Sequence, residues 1–193
     1  MSLVGLIDVI HWLEDVFDRL QLQRSYGGAV AYNYYGPPRL TQDVDVLALI
    51  PDTKLPAFVD ELSSAGCQHL RPDSGPVHLP AVLQDLRSKA HLAAFVCKGI
   101  RTELFLGWHP FHHQVLQRSP LRDLEGRKIP IHAPEDLVVF KKVFDRPKDI
   151  GDIKAILMAQ KGKLDLERLK SDANQLLTGE SYQELESLLI QFG

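Results

Sequence analysis

Apolar residues recur every three or four positions near the start of the chain, at Leu6, Ile10, Leu13, Phe17 and Leu20. This period predicts an amphipathic helix over about the first 21 residues. A short extended segment, 22–26, then leads into Gly27-Gly28. Residues 29–35 are long enough for about two helical turns, and a glycine and two prolines stop them.

The strongest strand pattern lies at 43–50, where DVDVLALI is apolar on both faces after its first residues. Such a run predicts a central strand of a sheet. A second helix is predicted at 56–66, where a proline begins the first turn, followed by a loop at 71–80 rich in Pro, Gly and Asp. A short helix is expected at 81–89.

Residues 92–97 and 100–106 both have a strand-like pattern and are separated only by Lys98-Gly99, which predicts a β-hairpin. A weaker hairpin is expected at 121–124 and 128–132. Everything after Pro134 has a helical pattern, in segments 134–144, 147–160, 165–177 and 182–191. The chain is therefore predicted to be a mixed α/β half, residues 1–133, followed by a helical C-terminal extension, residues 134–193.

The composition agrees with a globular protein, since 45% of the 193 residues are hydrophobic and 24% are charged. A net charge of −3 argues against a surface covered in positive potential for nucleic acid. Residues 116–148 nevertheless hold eight bases against five acids. This run is either a local basic face or a solvated surface, and the sequence leaves both open.

The two cysteines, Cys67 and Cys97, are too few and too far apart for a disulfide framework or a zinc knuckle. Cys97 ends an apolar run and is predicted to be a buried thiol. The N-terminal segment lacks a basic region and is interrupted by acids, so neither a signal peptide nor a membrane span is predicted. The expected location is the cytoplasm, without a membrane partner.

Asp43 and Asp45 open the apolar strand at 43–50. Residues i and i+2 of a strand point to the same face, roughly 7 Å apart, so the two carboxylates could hold one or two hard cations. A solvated strand end is the alternative, because an Asp-x-Asp pair alone is weak support for a metal site.

The residues before this pair add to the pattern. Gly27-Gly28 joins a strand to a helix start, where backbone N–H groups favour a phosphate. Reversal of the chain after the following helix would bring Arg39 and Thr41 beside the aspartates. Arg39 offers a cationic fork for phosphate oxygens and Thr41 a hydroxyl, although Arg39 could instead pair with Asp43 or Asp45.

The spacing G-G-x7-G-x2-R-x-T-x-D-x-D in Gly27–Asp45 resembles the first motif of the polymerase-β-type nucleotidyltransferases, most of all their minimal, AbiE-toxin-like branch. The resemblance implies an α/β nucleotidyltransferase fold, with a mixed sheet flanked by helices. It also implies Asp43 and Asp45 as metal ligands and catalytic residues. In that branch the glycine pair, Arg39 and Thr41 would bind the nucleotide.

The fold calls for a third carboxylate on a neighbouring strand, and Glu103 is the only acid in the strand at 100–106. The resemblance therefore implies Glu103 as the third catalytic and metal-binding residue. An exposed glutamate on an edge strand is the alternative interpretation.

The segment 134–157 resembles the helical part of the same branch, in which a lysine on one helix precedes an Arg-x-Lys-Asp turn. The matching residues are Lys141, Arg146, Lys148, Asp149 and Asp152. Lys141 and Asp149 are assigned to the nucleotide pocket, and Lys142 should face elsewhere. Asp149 could instead complement a helix dipole.

The implied activity is Mg²⁺-dependent (or Mn²⁺-dependent) transfer of an NMP from a nucleoside triphosphate to a hydroxyl of RNA, such as tRNA, or of a protein. A toxin of a toxin–antitoxin pair, with a cognate antitoxin as partner, fits the branch. Many active members carry Ser where this chain has Gly28. A catalytically weak or inactive nucleotide-binding module, or an interaction protein that binds neither nucleotide nor metal, is therefore the alternative.

Three histidines, His109, His112 and His113, stand together in HPFHH without a supporting Cys or acid. They are interpreted as surface or substrate-groove histidines rather than zinc ligands. Trp108 and Phe111 beside them are expected to be packing residues.

Overall fold

The computed structural model describes residues 5–71 and 75–193. In chain order the elements are α1 (Leu6–Arg19), β1 (Gln23–Tyr26), α2 (Gly28–Tyr32), β2 (Asp43–Leu49), α3 (Leu55–Ser64), β3 (Gln68–His69), β4 (Gly75–Pro76), α4 (Leu79–Leu86), β5 (Leu92–Cys97), β6 (Ile100–Leu106), α5 (Pro110–Arg118), β7 (Leu121–Leu124), β8 (Arg127–Pro130), α6 (Pro134–Phe144), α7 (Pro147–Ala159), α8 (Leu166–Leu176) and α9 (Gly179–Phe192).

Within the described residues, six strands form one mixed sheet in the order β1-β2-β6-β5-β3-β4, and β7 and β8 form a separate ribbon. β2 pairs with β1 antiparallel and with β6 parallel. A parallel pair needs a long crossover, and here the segment from α3 to β5 makes it. β2 and β6 are thus both interior strands, as predicted for the Asp-x-Asp strand.

Most predicted elements are confirmed, and the hairpin β5–β6 and helix α6 have the predicted bounds. The predicted loop at 71–80 instead contains β4 and the start of α4, and the HPFHH segment, for which no element was predicted, begins α5. Proline at the first turn and His109, whose Nδ1 accepts from the Phe111 amide, start that helix. Residues 1–4 of the predicted first helix and 72–74 of the predicted loop lie outside the described residues.

The core contains the apolar faces of α1, α6, α7 and the sheet, with Phe17, Tyr26, Phe58 and Leu104 almost fully buried. Charged groups also tie the helices together. Arg118 at the end of α5 binds the buried carboxylate of Asp136 on α6, and its Nη2 lies 2.6 Å from Asp172 on α8. Such a buried ion pair gives orientation more than net stability.

Cys67 and Cys97 are joined by a disulfide, so the prediction of a free buried thiol at Cys97 is wrong. The antiparallel pairing of β3 with β5 places Gln68 opposite Val96, and one step further Cys67 faces Cys97 with 4.4 Å between the Cα atoms. That separation suits a disulfide. Only the strand register brings the two residues together, since 30 positions separate them in the sequence.

Across residues 5–71 and 75–193, no helix is both long and apolar enough to cross a membrane.

The disulfide predicts a redox-dependent stability. Breaking the cross-link frees a 30-residue segment in the unfolded chain, so reduction should lower the free energy of unfolding by about 3.6 kcal/mol. Urea denaturation with and without dithiothreitol measures the change. The variant carrying Cys67→Ser and Cys97→Ser is the control and should not respond to the reductant. Two thiols titrating in the unreduced native protein would contradict the bridge.

Candidate active site

The parallel register of β2 and β6 places Asp43 beside Arg101 and Asp45 beside Glu103. Neighbours in a parallel pair point to the same side of the sheet, and residues two apart on one strand share that side. Three carboxylates and one guanidinium therefore stand on one face, at the start of two interior strands. The sequence pattern predicted this juxtaposition for the acids but not for Arg101.

The Asp45 carboxyl has a raised pKa. Burial and, after it, the negative charges of Glu103 and Asp43 together raise this pKa to about 6, against the opposing charges of Lys141 and Arg146. A like-charge cluster in a partly desolvated place has this effect on an acid. The same conditions favour the arrival of a cation.

Glu103 binds Arg101, whose Nε lies 2.9 Å from its Oε1. Because β6 lies between β2 and β5, the alternative interpretation of Glu103 as an edge-strand residue is wrong. Arg101 sits two residues before Glu103 and shares its face, so a strand-periodicity argument could have found it. This guanidinium neutralises the carboxylate cluster from one side.

The donor set at the cluster is chemically suited to a hard divalent cation, because carboxylate oxygens are its preferred protein ligands. Among residues 5–71 and 75–193, however, no three His, Cys, Asp or Glu side chains converge as a ready metal site. Asp43 and Asp45 fit the predicted role as they stand. Glu103 fits only after its carboxylate leaves Arg101 and turns toward Asp45.

Gly27 and Gly28 lie directly against this cluster. The Gly27 amide donates to the carbonyl of Asp45 at 2.9 Å, so that N–H is used by the sheet and cannot bind a phosphate. Gly28 has φ +51°, and a Cβ at this position would overlap the Asp45 carboxylate. Gly28 therefore permits a close approach of the backbone to the Asp45 carboxylate, whereas the predicted approach to a phosphate stays a prediction. A serine does not fit at Gly28 while Asp45 keeps this position.

Arg39 and Thr41 are brought to the same end of β2. Arg39 donates to Asp152 at 3.1 Å and lies over the Tyr32 ring, so it pairs with neither Asp43 nor Asp45. The Thr41 hydroxyl bonds the backbone of Asp43 at 3.2–3.3 Å and holds the start of the strand. Both residues line a small polar cavity described below.

Lys141 on α6 is buried and binds Asp152 at 2.6 Å, with Asp149 at 3.7 Å. Its anionic partner in the ligand-free protein is thus an acid of α7. Burial raises the pKa of Asp149, but the hydrogen bond and charge of Arg146 outweigh it and hold that pKa below its usual range. Lys142 points away, to Asp145 and Glu184, as predicted.

Two adjoining cavities open at the carboxylates. The smaller, of about 60 Å³, is polar and is lined by Gly28, Ala29, Arg39, Thr41, Asp43, Asp45, Lys141, Arg146, Lys148 and Asp149. The larger, of about 670 Å³, is within the size range of ligand sites and also borders Asp43, Asp45 and Gly28. Glu103 lines the larger cavity only. Asp43 and Asp45 therefore lie at the junction between the small cavity, which is lined by several bases, and the larger cavity.

The far wall of the larger cavity includes two of the histidines interpreted from the sequence as surface or substrate-groove residues, and one residue, Trp108, that the sequence did not assign to the site. Trp108, expected to be a packing residue, is 56% exposed and lines this wall with His109 and His112, whereas Phe111 is buried as expected. Burial lowers the pKa of His112 to about 4, so its ring is neutral near pH 7. Only the tertiary fold reveals this role for Trp108.

His132 lies between the glycine pair and α6. Burial lowers its pKa to about 3, and its Nδ1 is hydrogen-bonded to Ser25 at 2.8 Å. The ring stacks on Phe140 and packs against Gly27. His132 is thus a neutral, buried part of the wall of the larger cavity, and nothing in the sequence pattern singled it out.

Several solved structures share the fold of this chain, among them an antibiotic adenylyltransferase. The antibiotic-resistance factor ANT(2'')-Ia aligns with a TM-score of 0.58 at 13% identity, over 94% of this chain and 95% of that chain. Its complex with adenylyl-2''-tobramycin gives 0.56 at 13% over 88% and 95%, and lincomycin-bound lincosamide antibiotic adenylyltransferase LnuA gives 0.53 at 14% over 76% and 93%. No family profile and no curated protein matches the sequence. The fold prediction is confirmed, and the AbiE-like branch stays a prediction.

Substitution of Gly28 tests the close approach to Asp45. Gly28→Ser should lower the free energy of unfolding for two reasons. A non-glycine residue in the left-handed region costs roughly 1 kcal/mol, and overlap with the Asp45 carboxylate should cost about 1–3 kcal/mol more. Gly126→Ser is the matched control, because Gly126 also has positive φ (+86°) but open space around its Cβ position. Chemical denaturation of both variants measures the difference. Equal losses would show that the Asp45 carboxylate is not where the structure places it.

The raised pKa of Asp45 predicts a pH-dependent stability. Between about pH 4 and 6 the folded protein keeps a proton that the unfolded chain has released, so the free energy of unfolding falls as pH rises through this window. Asp45→Asn should therefore stabilise the protein at pH 7.5, by up to about 3 kcal/mol. This gain should disappear at pH 4.

Denaturation with a chelator at both pH values measures the Asp45→Asn effect free of bound cations. Asp60→Asn, at an exposed position on α3, is the control and should change little at either pH. A gain for Asp45→Asn that is the same at pH 4 and 7.5 would contradict the raised pKa.

Proposed function

We propose that this chain is a divalent-metal-dependent nucleotidyltransferase that moves an NMP from a nucleoside triphosphate to a hydroxyl group. The observation that carries the proposal is the meeting of Asp43, Asp45 and Glu103 on one sheet face with a small cavity rich in bases. Like-charged carboxylates beside a small compartment lined by four bases, Arg39, Lys141, Arg146 and Lys148, suit phosphoryl-group chemistry, which needs charge neutralisation and positioning.

In this proposal Asp43 and Asp45 hold Mg²⁺ or Mn²⁺, with Glu103 joining them once it leaves Arg101. The cation, when bound, neutralises charge on the triphosphate. Glu103 takes the proton of the acceptor hydroxyl, whose oxygen forms the new bond to the α-phosphorus. The bond from that phosphorus to the β-phosphate oxygen breaks, and pyrophosphate leaves with its electron pair.

The small cavity would receive the pyrophosphate end of the nucleotide. Lys141 and Arg39 both hold Asp152 in the ligand-free protein and are positioned to exchange that acid for phosphate oxygens. Gly28 lines this cavity, and Thr41 fixes the start of β2 beside it. Asp149 has a supporting part, since it orients Arg146.

The helical part, residues 134–193, contributes the wall of the cleft opposite the sheet. Lys141, Phe144, Arg146 and Leu176 all come from it and line the larger cavity. We propose that it closes the nucleotide cleft, so the boundary near residue 133 separates two sides of one site. In this proposal residues 1–133 supply the sheet side of the cleft and residues 134–193 supply the opposite side.

The AbiE-like sequence motif supports a specific version of this function. In that version the acceptor is an RNA hydroxyl, such as that of tRNA, or a protein hydroxyl, and the chain is a cytoplasmic toxin with a cognate antitoxin. The second candidate is a nucleotide-binding module of the same fold without catalysis. The Glu103–Arg101 contact and the lack of a serine at Gly28 favour that candidate.

Incubation with each α-labelled nucleoside triphosphate, Mg²⁺ and cell lysate tests the proposal. The wild-type protein should transfer label, and Asp43→Ala and Asp45→Ala should abolish the transfer because the cation loses its ligands. Glu103→Gln should lower the transfer rate by about 10²–10⁴-fold, the range of a lost general base. Nucleotide affinity, measured by calorimetry, should change little in Glu103→Gln.

One result would favour the second candidate, and another would overturn the assignment of the site. Mg²⁺-dependent nucleotide binding without transfer of label to any acceptor would favour the non-catalytic module. Wild-type transfer by Asp45→Ala would overturn the assignment of the site. Asp60→Ala, on the exposed side of α3, is the control and should keep the wild-type rate.

A further inference from the structure

The larger cavity continues from Glu103 along β6 into an aromatic wall. Phe105 lies two residues after Glu103, shares its face, and meets Phe144 of α6 edge-on at 5.8 Å between ring centroids. Trp108 follows at the end of β6 and packs against His91 at 4.7 Å. Phe144 is 48% exposed and Trp108 56%. Large rings at this exposure, facing a cavity, offer flat apolar surface to a ligand.

The charges around this cavity are unevenly placed. Among the described residues that line it, the carboxylates are Asp43, Asp45, Glu103 and Asp149, and the charged bases are Lys89, Arg101, Lys141, Arg146 and Lys148. All four acids belong to the carboxylate cluster or to the start of α7 beside it. The aromatic wall itself therefore has no carboxylate with which to bind an amine.

The geometry of the proposed reaction indicates that the acceptor, rather than the nucleotide, contacts the aromatic wall. In an in-line displacement the attacking oxygen and the leaving pyrophosphate lie on opposite sides of the α-phosphorus. With the pyrophosphate in the small cavity, the acceptor hydroxyl lies across Asp45 from it, next to Glu103. The body of the acceptor then extends along β6 onto Phe105, Phe144 and Trp108.

A long RNA acceptor is less well matched to the surface around the site. Three of the eight bases in 116–148 are held in ion pairs away from the site: Arg118 with Asp136 and Asp172, Arg127 with Asp15 and Asp18, and Lys142 with Asp145 and Glu184. Two more, Lys141 and Arg146, line the small cavity that is assigned to the pyrophosphate. Backbone tracking needs bases that are free to replace counterions. The basic run thus serves the fold more than it forms a basic face.

We infer that the acceptor is a small hydroxyl compound with a flat, uncharged body, which stacks on Trp108 and Phe144 and presents its hydroxyl to Glu103. The inference rests on the proposed function, since it names the acceptor of the same site. A polycation such as an aminoglycoside has no carboxylates to bind on this wall. The complex of ANT(2'')-Ia with adenylyl-2''-tobramycin shows that the fold itself can hold tobramycin. In this chain the aromatic wall, which has no carboxylate, is therefore the feature that disfavours such a polycation.

Tryptophan fluorescence can test the wall directly, because Trp12 and Trp108 are the two tryptophans of the chain. In the Trp12→Phe variant all tryptophan fluorescence comes from Trp108. This protein, loaded with Mg²⁺ and α,β-methylene-ATP, is titrated with 4-nitrobenzyl alcohol, tobramycin or a six-nucleotide RNA. The alcohol should give saturable quenching, while tobramycin and the RNA should give none. The same three compounds are then offered as acceptors to wild-type protein with α-labelled nucleotide, and label should enter the alcohol.

Two further variants separate stacking from general effects. Phe144→Ser in the Trp12→Phe background should weaken alcohol binding at least tenfold. Met158→Ser is the matched control, because Met158 is 57% exposed on the neighbouring helix α7 but does not line the cavity. Equal affinities in the two variants would overturn the inference.

The remaining outcomes are also decisive. Quenching of Trp108 by the nucleotide analogue alone, with no further response to the alcohol, would make the wall a nucleobase site and overturn the inference. Transfer of label to tobramycin or RNA would overturn it and leave nucleotidyl transfer standing. Absence of nucleotide binding would overturn the proposed function. In that case saturable quenching by the alcohol without nucleotide would still support a flat-ligand wall.

Discussion

Repulsion among three carboxylates on two neighbouring parallel strands is the constraint around which this molecule is organised. The β2–β6 register places Asp45 beside Glu103 and two residues from Asp43, and the pKa of Asp45 rises to about 6 as a result of burial and these charges. Such a cluster lowers stability near neutral pH unless cations approach it. Nearby bases lie where they reduce that cost in the ligand-free protein.

Those bases come from different parts of the chain. Arg101 stands on β6 itself and holds Glu103, whereas Lys141 and Arg146 come from α6 and the turn before α7 and act on Asp45 through space. Lys141 is also held by Asp152, so the helical half is tied to the site by its own ion pairs. The electrostatics therefore join the sheet and the helical extension in one site. A phosphate-bearing ligand would use the same bases.

The two cavities differ in size and in the chemistry of their walls. The compartment beside Gly28 is small and rich in bases, and the one beside Glu103 is roomy and largely aromatic away from the acids. Gly28 keeps the backbone against Asp45 at a position where a side chain would overlap the carboxylate. A glycine at this position therefore agrees with the local packing, because the Asp45 carboxylate occupies the space that a side chain would need.

The sequence by itself determined the element order, the sheet face of Asp43 and Asp45, and the turn that brings Arg39 and Thr41 to them, because strand and helix periodicities are local properties of the chain. It could not decide which cation neutralises which acid, since the Arg101–Glu103, Lys141–Asp152 and Arg39–Asp152 contacts depend on side-chain direction and on helix docking. It also missed the Cys67–Cys97 bridge and the exposure of Trp108. Strand register decides the bridge, and the packing of α6 against the sheet decides which rings face the cavity. Both are long-range, so only the tertiary structure sets them.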